Sequence, residues 1–237
     1  MQNSFAQSSE EYFKQGSEKI HMQDYKGAID DYTKCISLDS GNVKTYINRG
    51  TAKFVLKDYN AAAEDYTKAL ELDSSSLIAY FYRAQTELEN NKSSEAITDL
   101  TTFIKLSSGS PYIVEENGKS LNYTLQAYMV RSFAKYKLKD YEGAVQDMDL
   151  YLNNPSSNLA PNYLFRGNLY FNLKNYSSAI LDFNRAIELN AKYTEAYINR
   201  GIAKAKLNQL DSACSDLHKA KELGSKEVKQ YLKQYCN

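Results

Sequence analysis

The 237-residue sequence has no tryptophan, three prolines, three cysteines and two histidines. There is no C-x-x-C pair, and His21 and His218 stand far apart in the sequence. Neither a metal site nor a cofactor is therefore expected. Cys35 and Cys214 occupy positions that equivalent segments fill with Ala or Ile, which reads both as small core residues; Cys236 lies at the extreme C-terminus. No run of about 18 apolar residues occurs, so no membrane span is expected. Charge of either sign is not in excess: 29 Lys plus Arg balance 29 Asp plus Glu. That balance gives no broad basic signal for nucleic acid or an acidic membrane surface, and no nucleic-acid partner is expected.

What is abundant is tyrosine, with 21 copies, and it is periodic. Tyr12, Tyr46, Tyr80, Tyr128, Tyr163 and Tyr197 are each followed sixteen residues later by alanine, at Ala28, Ala62, Ala96, Ala144, Ala179 and Ala213. Three residues further on stands aspartate, at Asp31, Asp65, Asp99, Asp147, Asp182 and Asp216. The steps between copies are 34, 34, 48, 35 and 34 residues. Three residue types in one register across six copies specify a repeat array, not one or two globular domains.

Within each copy the apolar residues follow the helical period. In the second, Tyr46, Ile47, Gly50, Phe54 and Val55 mark one helix, and Asp58 is a natural N-cap for the next, whose buried side carries Ala62, Ala63, Tyr66, Ala69, Leu70 and Leu72. The unit is a hairpin of two short helices. Four residues after the periodic tyrosine comes a small residue: Gly16, Gly50, Ala84, Ser132, Gly167 or Gly201. Glycine inside a helix costs about 1 kcal/mol relative to alanine, so its recurrence implies close approach of two helix backbones, with the six alanines as the small partners. The prolines respect this plan: Pro111 and Pro155 fall outside the helices and Pro161 in a first turn.

These columns resemble the tetratricopeptide repeat family over roughly residues 9–237. The pattern has an aromatic at position four, a small residue at eight, Ala at twenty, an aromatic or apolar residue at twenty-four and Ala at twenty-seven. The last two columns here read Tyr32, Tyr66, Leu100, Met148, Phe183, Leu217 and Cys35, Ala69, Phe103, Tyr151, Ala186, Ala220. Phe103 and Tyr151 depart most, being bulky where Ala is usual. The resemblance implies an all-α fold, a right-handed α-solenoid of helix-turn-helix repeats. It divides the chain into an N-terminal tail (1–8), repeats one to three (9–110), an insertion (111–124), repeats four to six (125–224) and a capping helix (225–237). In that last helix Val228, Tyr231, Leu232 and Tyr235 stand at amphipathic spacing after Gly224.

The 48-residue step places the insertion. Asn117-Gly118 is a strong hairpin signal and would pair Glu116 with Lys119, Val114 with Leu121 and Tyr112 with Tyr123. A two-stranded ribbon is marginal unless it packs on something, so a hairpin and an irregular loop both stand as readings. At the other end of the chain, Ser4-Phe5-Ala6 has the small-x-small form of a signal-peptidase site without an apolar stretch before it. It reads either as the stub of an exported, periplasmic precursor or as the tail of a cytoplasmic protein.

Arginine precedes the small residue in five repeats, at Arg49, Arg83, Arg131, Arg166 and Arg200, with Gln15 in the first. A structural ladder with the aspartates is the expectation, since a buried charge must be paired. Five arginines in repeats two to six and five aspartates in repeats one to five suggest pairing between neighbours: Asp31 with Arg49, Asp65 with Arg83, Asp99 with Arg131, Asp147 with Arg166 and Asp182 with Arg200. Asp216 would then face the capping helix.

The resemblance also implies a function. First helices line a concave surface that in this family holds peptides or extended protein segments. The family's clamp for chaperone C-terminal carboxylates needs Lys, Asn and Arg where this chain has Phe13, Ser17, Asn48, Ile78 and Tyr82; only Asn48 fits. The groove positions read instead as aromatic and amide: Phe13, Asn48, Phe81, Tyr82, Phe133, Tyr136, Phe165, Asn168, Phe171 and Asn199. The expectation is a monomeric, non-enzymatic adaptor that binds a protein or peptide segment. The alternative is a structural subunit that self-associates, and no catalytic constellation is seen.

Overall fold

In the computed structural model, residues 7–116 and 118–236 are described. The Ser4–Ala6 motif, Asn117 and Asn237 lie outside them. The chain divides into two compact units, 1–134 and 135–237.

The first unit runs α1 (Ser9–His21), α2 (Tyr25–Leu38), α3 (Val43–Val55), α4 (Tyr59–Leu72), α5 (Leu77–Glu89), α6 (Ser93–Leu106), β1 (Ile113–Glu116), β2 (Lys119–Asn122) and most of α7 (Tyr123–Lys137). The second holds the end of α7, then α8 (Tyr141–Leu152), a 3₁₀ turn (Pro155–Ser157), α9 (Ala160–Asn172), α10 (Tyr176–Leu189), α11 (Thr194–Lys206), α12 (Leu210–Glu222) and α13 (Val228–Tyr235). Helices pack as consecutive neighbours, α1 on α2, α2 on α3 and onward within each unit, which is the all-α solenoid arrangement of helix hairpins. Acceptor side chains start many of them: Ser8, Asp24, Asn42, Asp58, Asp140 and Asn175 each accept a backbone N–H of the first turn.

The turn inside each hairpin places a non-glycine residue in the left-handed region: Gln23, Lys57, Asn91, Lys139, Lys174 and Asn208, with φ between 59° and 64°. Backbone N–H groups there close onto the preceding helix, as in Asp58 to the Lys53 carbonyl at 3.0 Å. This repeated turn fixes where the second helix begins, and with it which residues face each other.

The alanine column is fully buried in every repeat. The close approach at the glycines, however, is made by a different column. A Cβ on Gly16 would lie 2.7 Å from the Tyr32 ring, on Gly50 2.9 Å from the Tyr66 ring, and on Gly167 2.6 Å from the Phe183 ring. The glycine therefore seats the aromatic of position twenty-four. Only at Gly201 does the alanine column contribute, through the Ala213 carbonyl at 3.1 Å.

The Arg–Asp ladder is real, but its expected connectivity is wrong. Arg49, Arg83, Arg166 and Arg200 each bind the aspartate of their own repeat, sixteen residues on. Nε and Nη2 of Arg49 donate to both oxygens of Asp65 at 3.0 and 2.6 Å, and Arg83 with Asp99, Arg166 with Asp182 and Arg200 with Asp216 repeat that fork. The hairpin dictates this, because the same sixteen-residue offset already juxtaposes the two helices of one repeat. What crosses between repeats is the third nitrogen. Nη1 of Arg49, Arg83, Arg131, Arg166 and Arg200 donates to Thr33, Thr67, Thr101, Asp149 and Asn184 of the preceding repeat. The tyrosine column covers the guanidinium at 5.4–5.8 Å, as Tyr46 does Arg49 and Tyr197 does Arg200. A lysine four residues after that column contacts the aspartate in four repeats: Lys19 to Asp31, Lys53 to Asp65, Lys135 to Asp147 and Lys204 to Asp216, at 2.6–2.9 Å. Asp216 is thus held by Arg200 and Lys204 on α11, not by the last helix.

The insertion is a hairpin. Val114 pairs with Leu121 and Glu116 with Lys119, and the Tyr123 N–H donates to the Tyr112 carbonyl at 2.9 Å. Gly118 in the turn has φ +73°. The ribbon is stable because one face, Tyr112, Val114 and Leu121, packs on a cluster containing Phe81, Phe103 and Tyr123. The bulky Phe103 in the alanine column is part of that same cluster. Both strands, and no others among the described residues, lie in 111–124.

The cysteine reading needs one correction. Cys35 is a buried free thiol, but Cys214 is disulfide-bonded to Cys236, with Cα atoms 5.4 Å apart. α13 folds back on α12, which brings two residues 22 apart in sequence together.

Candidate functional site

In the 135–237 unit, first helices and α13 enclose an open groove of about 480 Å³. Asn168 and Phe171 enter it from α9, Asn199 and Lys206 from α11, and Tyr136 from the end of α7. Tyr231 and Tyr235, one turn apart on α13, make the remaining wall. Four of the ten residues expected on the groove therefore share one site: Tyr136, Asn168, Phe171 and Asn199.

Their orientations are set by neighbours in the same unit. The Asn199 side-chain amide donates to Asn168 Oδ1 at 2.8 Å, so the two asparagines form one rung. That bond leaves the Asn168 side-chain amide as a further donor and the Asn199 side-chain carbonyl oxygen as a further acceptor. Tyr136 is 38% exposed and stands edge-on to Phe165, with ring centroids 5.7 Å apart. Phe171 packs on Tyr176 at 5.2 Å. The rings are thus held by neighbouring rings, which lowers the entropy lost when a ligand covers them. Lys206 is the cation of the lining.

The other expected residues lie in the first unit, apart from Phe165 behind Tyr136. Phe13 lies tilted against Tyr32 at 5.8 Å, and the Asn48 amide reaches the Tyr32 hydroxyl at 3.5 Å. Asn48 and Tyr32 line a smaller hollow of about 250 Å³ with Ser17 and Thr51. Burial pushes the Tyr32 phenol above its ordinary pKa, so it is neutral there and able both to donate and to accept. Tyr82 bonds the Tyr123 hydroxyl at 3.1 Å, and Phe133 is 44% exposed. Phe81 is a correction: at 1% exposure it is a core residue, edge-on to Tyr123 at 5.0 Å, because the insertion's rings cover it.

Sequence reasoning missed Lys206, Tyr231 and Tyr235 as lining residues. The i, i+4 tyrosines of α13 were visible; which helices they would face depends on how α13 folds back.

A second feature stands apart in the first unit. In repeat three the column that supplies lysine in four other repeats holds Glu87. Its carboxyl is half-buried, and its Oε2 has no hydrogen-bond partner. Burial first, then the charge of Asp99, push its pKa up to about 7.

The chain's repeats match known sequence patterns. Residues 43–76 and 161–193 match one model of the tetratricopeptide repeat, and residues 11–42 match a second model of the same repeat. No curated protein matches the chain. Among solved structures it is similar to YrrB, a TPR protein with an unusual peptide-binding site, at 20% identity and a TM-score of 0.71, covering 86% of this chain and 97% of that one. It is also similar to the C-terminal part of a TPR repeat-containing protein from Cytophaga hutchinsonii, at 18% identity and a TM-score of 0.76, over 94% of this chain and 87% of that one. PilF of Pseudomonas aeruginosa gives 15% identity and a TM-score of 0.68, over 95% and 97%.

Proposed function

This chain is a tetratricopeptide repeat protein, and from that premise we propose that it is a non-enzymatic adaptor holding an extended, mainly uncharged peptide segment of a partner protein. The segment lies in the groove of the 135–237 unit. The observation that carries this reading is the Asn168–Asn199 rung flanked by the rings of Tyr136 and Phe171. An amide rung offers a donor and an acceptor to a peptide backbone, and the rings add apolar contact that makes little demand on sequence. A single lysine in the lining and zero net charge leave little electrostatic attraction, so affinity depends weakly on salt. The peptide-binding site named for the structurally similar YrrB supports the class of ligand.

The test starts from peptides selected by display of random sequences against the oxidised protein. Asn168→Ala combined with Asn199→Ala removes both partners of a part-buried bond and leaves neither unpaired, so the circular-dichroism melt stays near that of the wild type. Peptide affinity should fall about tenfold, the loss of two neutral hydrogen bonds. A folded double variant that binds with wild-type affinity removes the groove as the site. Light scattering that shows a stable dimer closing over these residues would favour self-association instead.

A further inference from the structure

One wall of the groove is unlike the rest. α13 has eight residues, and helices that short do not hold themselves together in water. Its N-cap, Glu227, makes no side-chain capping bond. Lys229, Gln230, Lys233 and Gln234 point to solvent. The helix is anchored at its start by Val228, which is fully buried beside Ile198, Leu217 and Ala220. Its far end is anchored by the Cys214–Cys236 disulfide to α12. The groove tyrosines, Tyr231 and Tyr235, lie between those anchors, and Tyr235 is adjacent to the bonded Cys236.

We propose that this disulfide is a redox clasp on the groove: oxidised, it holds the tyrosine wall in place and the peptide site complete; reduced, it lets α13 leave and the site lose that wall. The proposal rests on the reading of the groove as a peptide site. Both cysteines are partly exposed, within reach of a dithiol reductant of the thioredoxin class. One thiolate of the reductant attacks a sulfur of the bond to give a mixed disulfide. Its second thiol then expels the protein sulfur. Two electrons and two protons pass to Cys214 and Cys236, which become thiols, and the reductant becomes its own disulfide. The bond closes a loop of 22 residues, and opening it returns that loop's freedom to the undocked helix. Cys35 is buried and takes no part.

The experiment has two readouts on the full chain, with and without dithiothreitol: hydrogen exchange over residues 228–235, and affinity for a display-selected peptide. Reduction should speed exchange at 228–235 about tenfold while the α9–α12 amides keep their protection. It should weaken the peptide about tenfold, the share of two lost ring contacts. A Cys214→Ser, Cys236→Ser variant should match the reduced protein and ignore dithiothreitol. Unchanged exchange on reduction overturns the clasp, and so does faster exchange with unchanged affinity for a peptide that needs Asn168 and Asn199. Failure of the groove itself shows separately, as wild-type affinity in the oxidised Asn168→Ala, Asn199→Ala variant; exchange at 228–235 then still decides whether the bond holds α13.

Discussion

Repeat three should be the easiest place to stabilise this chain, through Glu87. Four other repeats put lysine in its column and bond it to the aspartate; here a half-buried carboxyl faces Asp99 instead. The charged groups acting on it are Asp99 and Glu95 from α6, which disfavour its ionisation, and Arg83 and Lys92, which favour it; burial outweighs them all. The folded pKa of about 7 exceeds the ordinary glutamate value of 4.5, so the folded chain binds the proton more tightly than the unfolded one. Stability is therefore highest below the unfolded value and is lost as pH rises through about 7. The full shift corresponds to about 3 kcal/mol, and partial exposure of the group cuts this to about 1–2 kcal/mol. Glu87→Gln should stabilise by that amount at pH 8 and by nearly nothing at pH 4.5. Glu87→Lys should gain more at pH 8, because it also rebuilds the lysine–aspartate pair. Urea melts of the three proteins at the two pH values measure this. An equal gain at both pH values, or a loss at pH 8, would refute the reasoning.

The same ladder separates two arginines. Asp65 keeps Lys53 when Arg49→Ala removes the fork, whereas Arg83 is the cation that reaches Asp99 among the described residues. Arg83→Ala should cost about 3–5 kcal/mol and Arg49→Ala about 1–2 kcal/mol, and equal losses in denaturant melts would show that the lysine column carries no weight. Lys57→Gly relieves a left-handed φ of 64° on an exposed turn and should raise stability by about 0.5–1 kcal/mol, whereas Lys57→Val should lower it; a loss with glycine would contradict the strain argument.

Much of this architecture was legible because it repeats. The tyrosine, alanine and aspartate columns set both helices of every hairpin, and Asn117-Gly118 set the register of the ribbon. Pairing was harder. Counting five arginines against five aspartates suggested contacts between neighbours, yet the sixteen-residue offset from Arg49 to Asp65 equals that from Gly50 to Tyr66, which face each other across one hairpin. The close approach at Gly16, Gly50 and Gly167 is to the aromatic or apolar column because a ring, larger than alanine, reaches across from the second helix. Phe81 left the groove positions because Phe103, Tyr112 and Tyr123 build a local core that no other repeat has. The disulfide, and the groove wall it holds, follow from how α13 turns after Gly224, whose φ of +95° no periodic signal encodes.

The central claim is that the Asn168–Asn199 rung is the peptide contact. The most direct measurement is a titration of the oxidised protein with a display-selected peptide, followed through the side-chain amide resonances of asparagine, assigned by single substitutions. Asn168 and Asn199 should shift in step with binding, and Asn48 of the first unit should move far less. Saturable binding that leaves both resonances in place would contradict the account.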